Sequence, residues 1–231
     1  RAGVGVDNID LPAAEAAGCW VLNTPGASTA SVVELTLAHM LAAARGIQDA
    51  DQGLKSGRWL KGQIRLGAAD GPRVGHELSG KRLGIVGFGR IAKGVARAAG
   101  ALGMVVHATS QSASTSPAAA ASLGVTVEAS VEELLSKCTH VVVLCASNEQ
   151  TRGLVDRRRI ALMPTTGLDG TACGAHLFNM ARGGIVVEAD VVAALEAGEL
   201  TTYATDVFAR EPPAVDNPLL QARGFYGTPH V

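Results

Sequence analysis

The feature that most constrains this chain is a glycine-rich turn between a short apolar strand and a helical pattern. The apolar run at 82–86 is followed by Gly87, Gly89 and Ala92, which fit the pattern G-x-G-x-x-A. The next residues are apolar at helical spacing, and a second apolar run follows at 104–108. This order predicts a β-α-β unit with parallel strands. Glycines at these positions let the backbone approach a pyrophosphate, which the amino end of the helix attracts.

The rest of the chain continues the alternation of strands and helices. This alternation predicts a doubly wound α/β sheet of the Rossmann-like kind. We predict further strands at 141–144, 175–178 and 203–205, and helices at 131–137 and 189–197.

A long apolar helical region precedes the glycine turn. It covers about 28–57, with a break near Gly46, and its apolar surplus suits either packing on the sheet or a subunit interface. Two segments are predicted to be irregular: 112–122 is a Ser/Ala-rich loop or weak helix, and 164–174 is an exposed loop.

Composition limits the partners of the chain. A net charge of −1 gives no basic surplus for nucleic acid, and no apolar run reaches the roughly 18 residues of a membrane span. The four cysteines have neither C-x-x-C nor zinc-ligand spacing. We therefore predict no nucleic-acid partner, no membrane partner, no metal site, and reduced thiols in a cytoplasmic protein.

The residue expected to hold the ribose is unusual. An acidic residue about 20 positions after the glycine turn commonly binds the ribose hydroxyls of NAD, whereas Ser110 stands there in this chain. A serine neither repels a 2′-phosphate nor attracts one. The sequence therefore permits NAD or NADP.

Three later segments, together with the glycine turn, resemble the D-isomer-specific 2-hydroxyacid dehydrogenases. They are Asn-Met-Ala-Arg-Gly-Gly at 179–184, Asp-Val-Phe-Ala-Arg-Glu-Pro at 206–212, and Thr-Pro-His at 228–230. The opening at 1–10 and Asn-Thr-Pro-Gly at 23–26 look most like the phosphoglycerate dehydrogenase and hydroxypyruvate reductase branch. The resemblance covers nearly the whole chain.

This resemblance implies hydride transfer between NAD(P) and a small D-2-hydroxy acid or 2-keto acid. Arg182 would bind the substrate carboxylate, for which a guanidinium fork is well suited. His230 would be the acid and base at the carbonyl oxygen, since histidine titrates near neutral pH. Glu211 would hold the His230 ring and favour its protonated form.

The resemblance also implies binding residues, a domain division and a homodimer. Val4 and Gly5 match a substrate-side loop, 1–23 would be a remnant of a substrate domain, and 24–231 would be the dinucleotide-binding domain. The cofactor-binding residues would be Gly87, Gly89, Arg90, Ile91, Ser110, Cys145, Ala146, Met180, Ala181 and Asp206.

The sequence departs from this family at Ser110, at 145–148, where a common proline is lacking, and at 165–173, where an insertion predicts a surface bulge. One alternative function is a dehydrogenase-derived binding protein, such as a co-repressor, without turnover. A short-chain reductase is a more distant alternative, because its Tyr-x-x-x-Lys pair is absent. The remaining histidines have no motif around them and are interpreted as structural: His39, His76, His107, His140 and His176.

Overall fold

The computed structural model describes residues 1–6, 8–63, 75–110 and 117–231. In this part of the chain, one sheet of seven parallel strands has the order β3-β2-β1-β4-β5-β6-β7. The doubly wound α/β class is therefore confirmed. The strands are β1 (Arg82–Val86), β2 (Val105–Thr109), β3 (Thr126–Val127), β4 (His140–Val143), β5 (His176–Asn179), β6 (Thr202–Thr205) and β7 (Phe225–Gly227).

Eight α-helices and two short 3-10 turns lie in the described ranges. The turns are at Gly183–Ile185 and Pro218–Gln221. The helices are α1 (Leu11–Ala16), α2 (Thr29–Arg45), α3 (Ile47–Lys55), α4 (Arg90–Ala101), α5 (Pro117–Ala121), α6 (Val131–Lys137), α7 (Arg157–Ile160) and α8 (Glu188–Glu196).

The sheet separates two apolar cores, because successive side chains of a strand point to opposite faces. Ile85 and Val142 lie in one core with Met40 of α2 and Val95 of α4. Val86, Val141 and Val143 lie in the other core with residues of α6, α7 and α8. Because the inner strands are covered on both faces, β1 and β4 are largely apolar, without a polar alternation.

The predicted strands and helices are found with ends shifted by at most about two residues. Sequence analysis missed the two edge strands, β3 and β7, which have only two and three residues. Strands this short have no usable periodicity in the sequence. They are recognisable as strands only because β3 pairs with β2 and β7 pairs with β6. Sequence analysis set no bounds for the short helices α1 and α7.

The long apolar region is broken where the sequence predicts. Gly46 ends α2 and begins α3 with a φ of 57°, in the left-handed region that glycine enters without a Cβ penalty. Met40 is buried against the sheet, whereas Ile47 and Leu54 are exposed. The region is therefore not wholly buried within the chain.

No single described helix is long and apolar enough to cross a membrane. The bent pair α2 and α3, with 68° between the two helices, meets the length and composition criteria only when taken together.

The predicted insertion forms an exposed bulge. Thr166 and Ala172 form an isolated antiparallel bridge at its base. Asp169 accepts a hydrogen bond from Lys81 Nζ at 2.7 Å, which ties the bulge to the sheet. The surface-bulge prediction for 165–173 is confirmed. The prediction for 112–116 lies outside the described residues.

Candidate dinucleotide and active site

The glycine turn lies at the carboxyl edge of the sheet, where the strand order reverses between β1 and β4. Gly87 has a φ of 96°, and a Cβ added there would lie 2.6 Å from Cα of Cys145. Both the conformation and this close approach require glycine. Open α/β sheets bind their ligands at such a switch point.

Gly89 differs from Gly87, because the space beside it is open. A Cβ built on Gly89 meets no atom of the described residues within 4 Å. Gly89 is also the N-cap of α4, and no side chain caps that helix end. The first turn of α4, which includes Arg90 and Ile91, therefore has amide groups without a capping side chain, as at helix ends that bind anions.

A cleft of about 410 Å³ opens beside this turn. Five of the predicted cofactor-binding residues line it: Gly87, Gly89, Ser110, Cys145 and Ala146. Burial raises the pKa of the Cys145 thiol to about 11, so that Cys145 is a neutral wall residue at physiological pH.

The three predicted catalytic residues meet in a second cleft of about 340 Å³. Arg182 follows β5, Glu211 follows β6, and His230 follows β7, and all three line this cleft. They are brought together because neighbouring parallel strands end at one edge of the sheet.

His230 and Glu211 form a direct pair. Nδ1 of His230 lies 2.8 Å from Oε2 of Glu211, and both side chains are about two-fifths exposed. His230 has a φ of 56°, which is unusual for a residue other than glycine. Such conformations persist where the surrounding structure imposes them, and they concentrate at functional sites.

Glu211 is held as a carboxylate. Partial burial raises its pKa, but hydrogen bonds from His230 and from the Phe208 amide, with the charge of Arg182, make the net shift downward. Oε1 accepts the Phe208 amide at 3.0 Å. The carboxylate is therefore fixed at both oxygens and stays ionised throughout the pH range in which histidine titrates.

Asn179 positions Arg182, and sequence analysis assigned it no role. Its buried amide group donates to the Arg182 carbonyl at 3.0 Å and accepts from the Ala181 amide at 3.2 Å. A Cβ on Gly183 would collide with the Phe208 backbone at 1.9 Å. This close packing holds the Arg182 turn against the loop that carries Glu211.

Asp206 was predicted to face the cofactor, and it also braces the segment before His230. Its buried Oδ1 accepts from the Thr228 hydroxyl at 2.7 Å and from the Val231 amide at 3.1 Å. The Thr228 hydroxyl lies 3.1 Å from Nε2 of His39 on α2. Sequence analysis missed this contact because 189 residues separate His39 from Thr228.

Seven predicted site residues line neither cleft in the described part of the chain: Val4, Gly5, Arg90, Ile91, Met180, Ala181 and Asp206. Met180 and Ala181 form the turn between β5 and Arg182, and Met180 is buried. Val4 and Gly5 belong to the opening segment, whose Arg1 and Asn8 line the second cleft instead. The Val4 carbonyl accepts from Asn23 Nδ2 at 2.9 Å.

A larger cleft of about 730 Å³ lies between α3 and β7. None of the predicted site residues lines it. Size alone therefore does not select the site, and the grouping of chemically suited residues does.

Comparison with known proteins agrees with this geometry. Residues 37–231 match the family model of the D-isomer specific 2-hydroxyacid dehydrogenase, NAD binding domain. The chain belongs to this family. The resemblance inferred from the sequence is confirmed, and the matched region contains the glycine turn together with Arg182, Glu211 and His230.

Individual relatives support the assignment. The D-3-phosphoglycerate dehydrogenase of Methanocaldococcus jannaschii is 39% identical over the whole chain, which spans 40% of that relative's length. A formate dehydrogenase structure from Granulicella has a TM-score of 0.87 at 27% identity, over 99% of this chain and 57% of the other. The NAD complex of a Staphylococcus aureus formate dehydrogenase has a TM-score of 0.81 at 26% identity, over 99% and 62%.

Proposed function

We propose that the protein containing this chain transfers a hydride between a nicotinamide dinucleotide and a small D-2-hydroxy acid. The observation that carries the proposal is the cleft in which the His230–Glu211 pair lies with Arg182. This is a general acid with its orienting carboxylate, next to a cation suited to a carboxylate substrate.

The glycine turn fits the pyrophosphate of such a dinucleotide. Gly89 leaves open space, and the uncapped amino end of α4 faces it. Gly87, Gly89 and Arg90 would hold the pyrophosphate, Ser110 the ribose, and Cys145 and Ala146 the wall of the cleft. When bound, the nicotinamide supplies or accepts the hydride at the substrate carbon.

His230 handles the proton. In reduction, its ring donates a proton to the carbonyl oxygen while the carbonyl carbon receives the hydride, which yields the hydroxy acid. In oxidation, the same ring accepts that proton. Glu211 holds Nδ1, so Nε2 is the nitrogen that exchanges the proton, and the ionised carboxylate stabilises the imidazolium form.

Arg182 would bind the substrate carboxylate and keep its carbonyl next to His230. We further propose that 1–23 belong to a substrate domain and 24–231 to the dinucleotide-binding domain. The amides near Val4 and Gly5 would then approach the same carboxylate from the opposite side. Met180, Ala181 and Asp206 would complete the nicotinamide end of the cleft.

The relatives suggest a first substrate. Because the M. jannaschii relative is a D-3-phosphoglycerate dehydrogenase, D-3-phosphoglycerate and its keto acid are the first pair to test, with NAD and NADP. Hydroxypyruvate, glyoxylate and pyruvate are the comparison substrates. We also propose a cytoplasmic homodimer, for which the exposed Ile47 and Leu54 offer apolar surface.

The test uses the full-length protein. His230→Ala should lower kcat by roughly 10²–10⁴-fold, as loss of a general acid does. Arg182→Ala should raise KM and lower kcat together, because it binds both ground and transition states. His107→Gln is the matched control, since His107 lies on β2, pairs with Glu128 at 2.7 Å and lines neither cleft.

Wild-type turnover in His230→Ala would refute the mechanism. Absence of turnover with all five substrates, together with intact dinucleotide binding, would favour a binding protein instead. The 231-residue chain alone should bind the dinucleotide and turn over slowly or not at all.

A further inference from the structure

Three buried histidines meet at the amino-terminal edge of the sheet, opposite the two clefts. His140 begins β4, His176 begins β5, and the two are paired across the strands. His76 lies in the segment before β1. The ring centroids are 4.5 Å apart for His140 and His176, and His76 lies 5.1 and 4.9 Å from these two. All three side chains are buried.

Two ring nitrogens of this cluster are buried without a hydrogen-bond partner among the described residues. Nε2 of His176 lies 2.8 Å from the Cys173 carbonyl, which only accepts, so Nε2 carries the proton. Nδ1 of His176 therefore has a lone pair, and this buried atom has no hydrogen-bond partner in the described part of the chain. Nδ1 of His76 is likewise buried without a partner among those residues. Such atoms are rare in folded proteins and require an explanation.

The nitrogens of His76 and His140 face each other. Their Nε2 atoms are 3.0 Å apart, while Nδ1 of His140 lies 2.9 Å from the Thr139 hydroxyl. One ligand nitrogen from each of the three rings lies within 4.8 Å of the others. Around a tetrahedral zinc with Zn–N distances of about 2.0–2.1 Å, the nitrogens would be roughly 3.3 Å apart.

We propose that His76, His140 and His176 bind a divalent transition metal, with Zn²⁺ as the foremost candidate. Imidazole nitrogens suit zinc, and a ligand histidine ordinarily donates its other N–H to a carbonyl or similar acceptor. His176 already does so with Cys173. Three protein ligands leave one coordination position for water or another donor.

Two cations and one carboxylate lie around the cluster. Lys81 and Arg45 lie near His76 and oppose a bound cation, whereas Asp169 pairs with Lys81 at 2.7 Å and offsets one of these charges. The ligands would therefore be the three imidazole rings alone, without a carboxylate among them.

The site would be structural rather than catalytic. The proposed catalytic residues follow the carboxyl ends of the strands, whereas His140 and His176 stand at the amino ends of β4 and β5. A metal here would tie the segment before β1 to two central strands. It would thereby stabilise the fold, because a ligand that binds only the native state raises its stability.

The test titrates the untagged, chelator-treated chain with Co²⁺ and, separately, with Zn²⁺. We expect one equivalent of Co²⁺ per chain with the visible absorption of low-coordinate Co²⁺–imidazole, and a rise in Tm with Zn²⁺. Binding without a defined stoichiometry, or with neither signal, would overturn the proposal and leave the cluster as packed neutral rings.

Variants locate the site. His76→Phe keeps an aromatic ring and should weaken Co²⁺ binding by at least about 100-fold, because loss of an outer-shell partner alone costs 10–100-fold. His107→Gln is the control, since His107 is a buried strand histidine outside the cluster. Equal losses in the two variants, or none in His76→Phe, would refute the assignment. If His76→Phe does not fold, the stoichiometry and the Tm shift of the wild-type chain still test whether it binds the metal.

Discussion

Two substitutions in the glycine turn separate its binding role from its structural role. Gly89→Val places a side chain where a Cβ meets no atom within 4 Å, so the fold should tolerate it. Gly87→Val places a side chain at a φ of 96° and against the Cys145 backbone at 2.6 Å. We expect Gly89→Val to lose dinucleotide binding and Gly87→Val to lose stability.

The magnitudes follow from these contacts. At Gly87, backbone strain of about 1–3 kcal/mol and overpacking of about 1–3 kcal/mol together lower the free energy of unfolding by about 2–6 kcal/mol. For a chain of this size, Tm should fall by at least about 4 °C. At Gly89, replacement of a favourable N-cap residue costs about 1 kcal/mol, or about 2–4 °C.

The affinity for NAD should fall more in Gly89→Val than the stability does, whereas Gly87→Val mainly loses stability. Charge-assisted hydrogen bonds contribute about 1.5–3 kcal/mol each, and a valine at Gly89 excludes at least one or two of them. A loss of about 3 kcal/mol weakens binding by about 100-fold. Calorimetric titration with NAD measures the affinity, and thermal unfolding measures the stability. An unchanged Kd for Gly89→Val would refute the pyrophosphate assignment. If the Tm of Gly89→Val falls as far as that of Gly87→Val, the conclusion that a side chain fits at Gly89 is wrong.

Three further outcomes are expected. Ser110→Asp should lower the ratio of NADP to NAD affinity, because a carboxylate repels the 2′-phosphate, and an unchanged ratio would remove Ser110 from the ribose site. Glu211→Gln should move the fall of reduction activity to lower pH. The lowered pKa of Glu211 keeps it charged throughout the assay range, so its loss removes a constant stabilisation of the imidazolium. An unshifted pH–rate profile would contradict this role. The full-length protein should sediment as a dimer at micromolar concentration, and Ile47→Glu should weaken the dimer if α3 contributes to it. A monomeric wild type would exclude this proposal.

The sequence by itself determined the features that are local in the chain. The strand at 82–86, the glycine turn, the break at Gly46 and the order of later motifs are each set by residues close in sequence. Spacing of apolar residues and the special conformations of glycine therefore sufficed to predict the α/β class and the cofactor turn.

The tertiary structure decided the features that depend on distant contacts. The edge strands β3 and β7 exist only because β2 and β6 are beside them. Asp206 braces Thr228 across 22 residues, and His76 meets His140 across 64. These contacts cannot be predicted from a local sequence pattern, because the parallel sheet brings together the ends of strands that lie far apart in the chain.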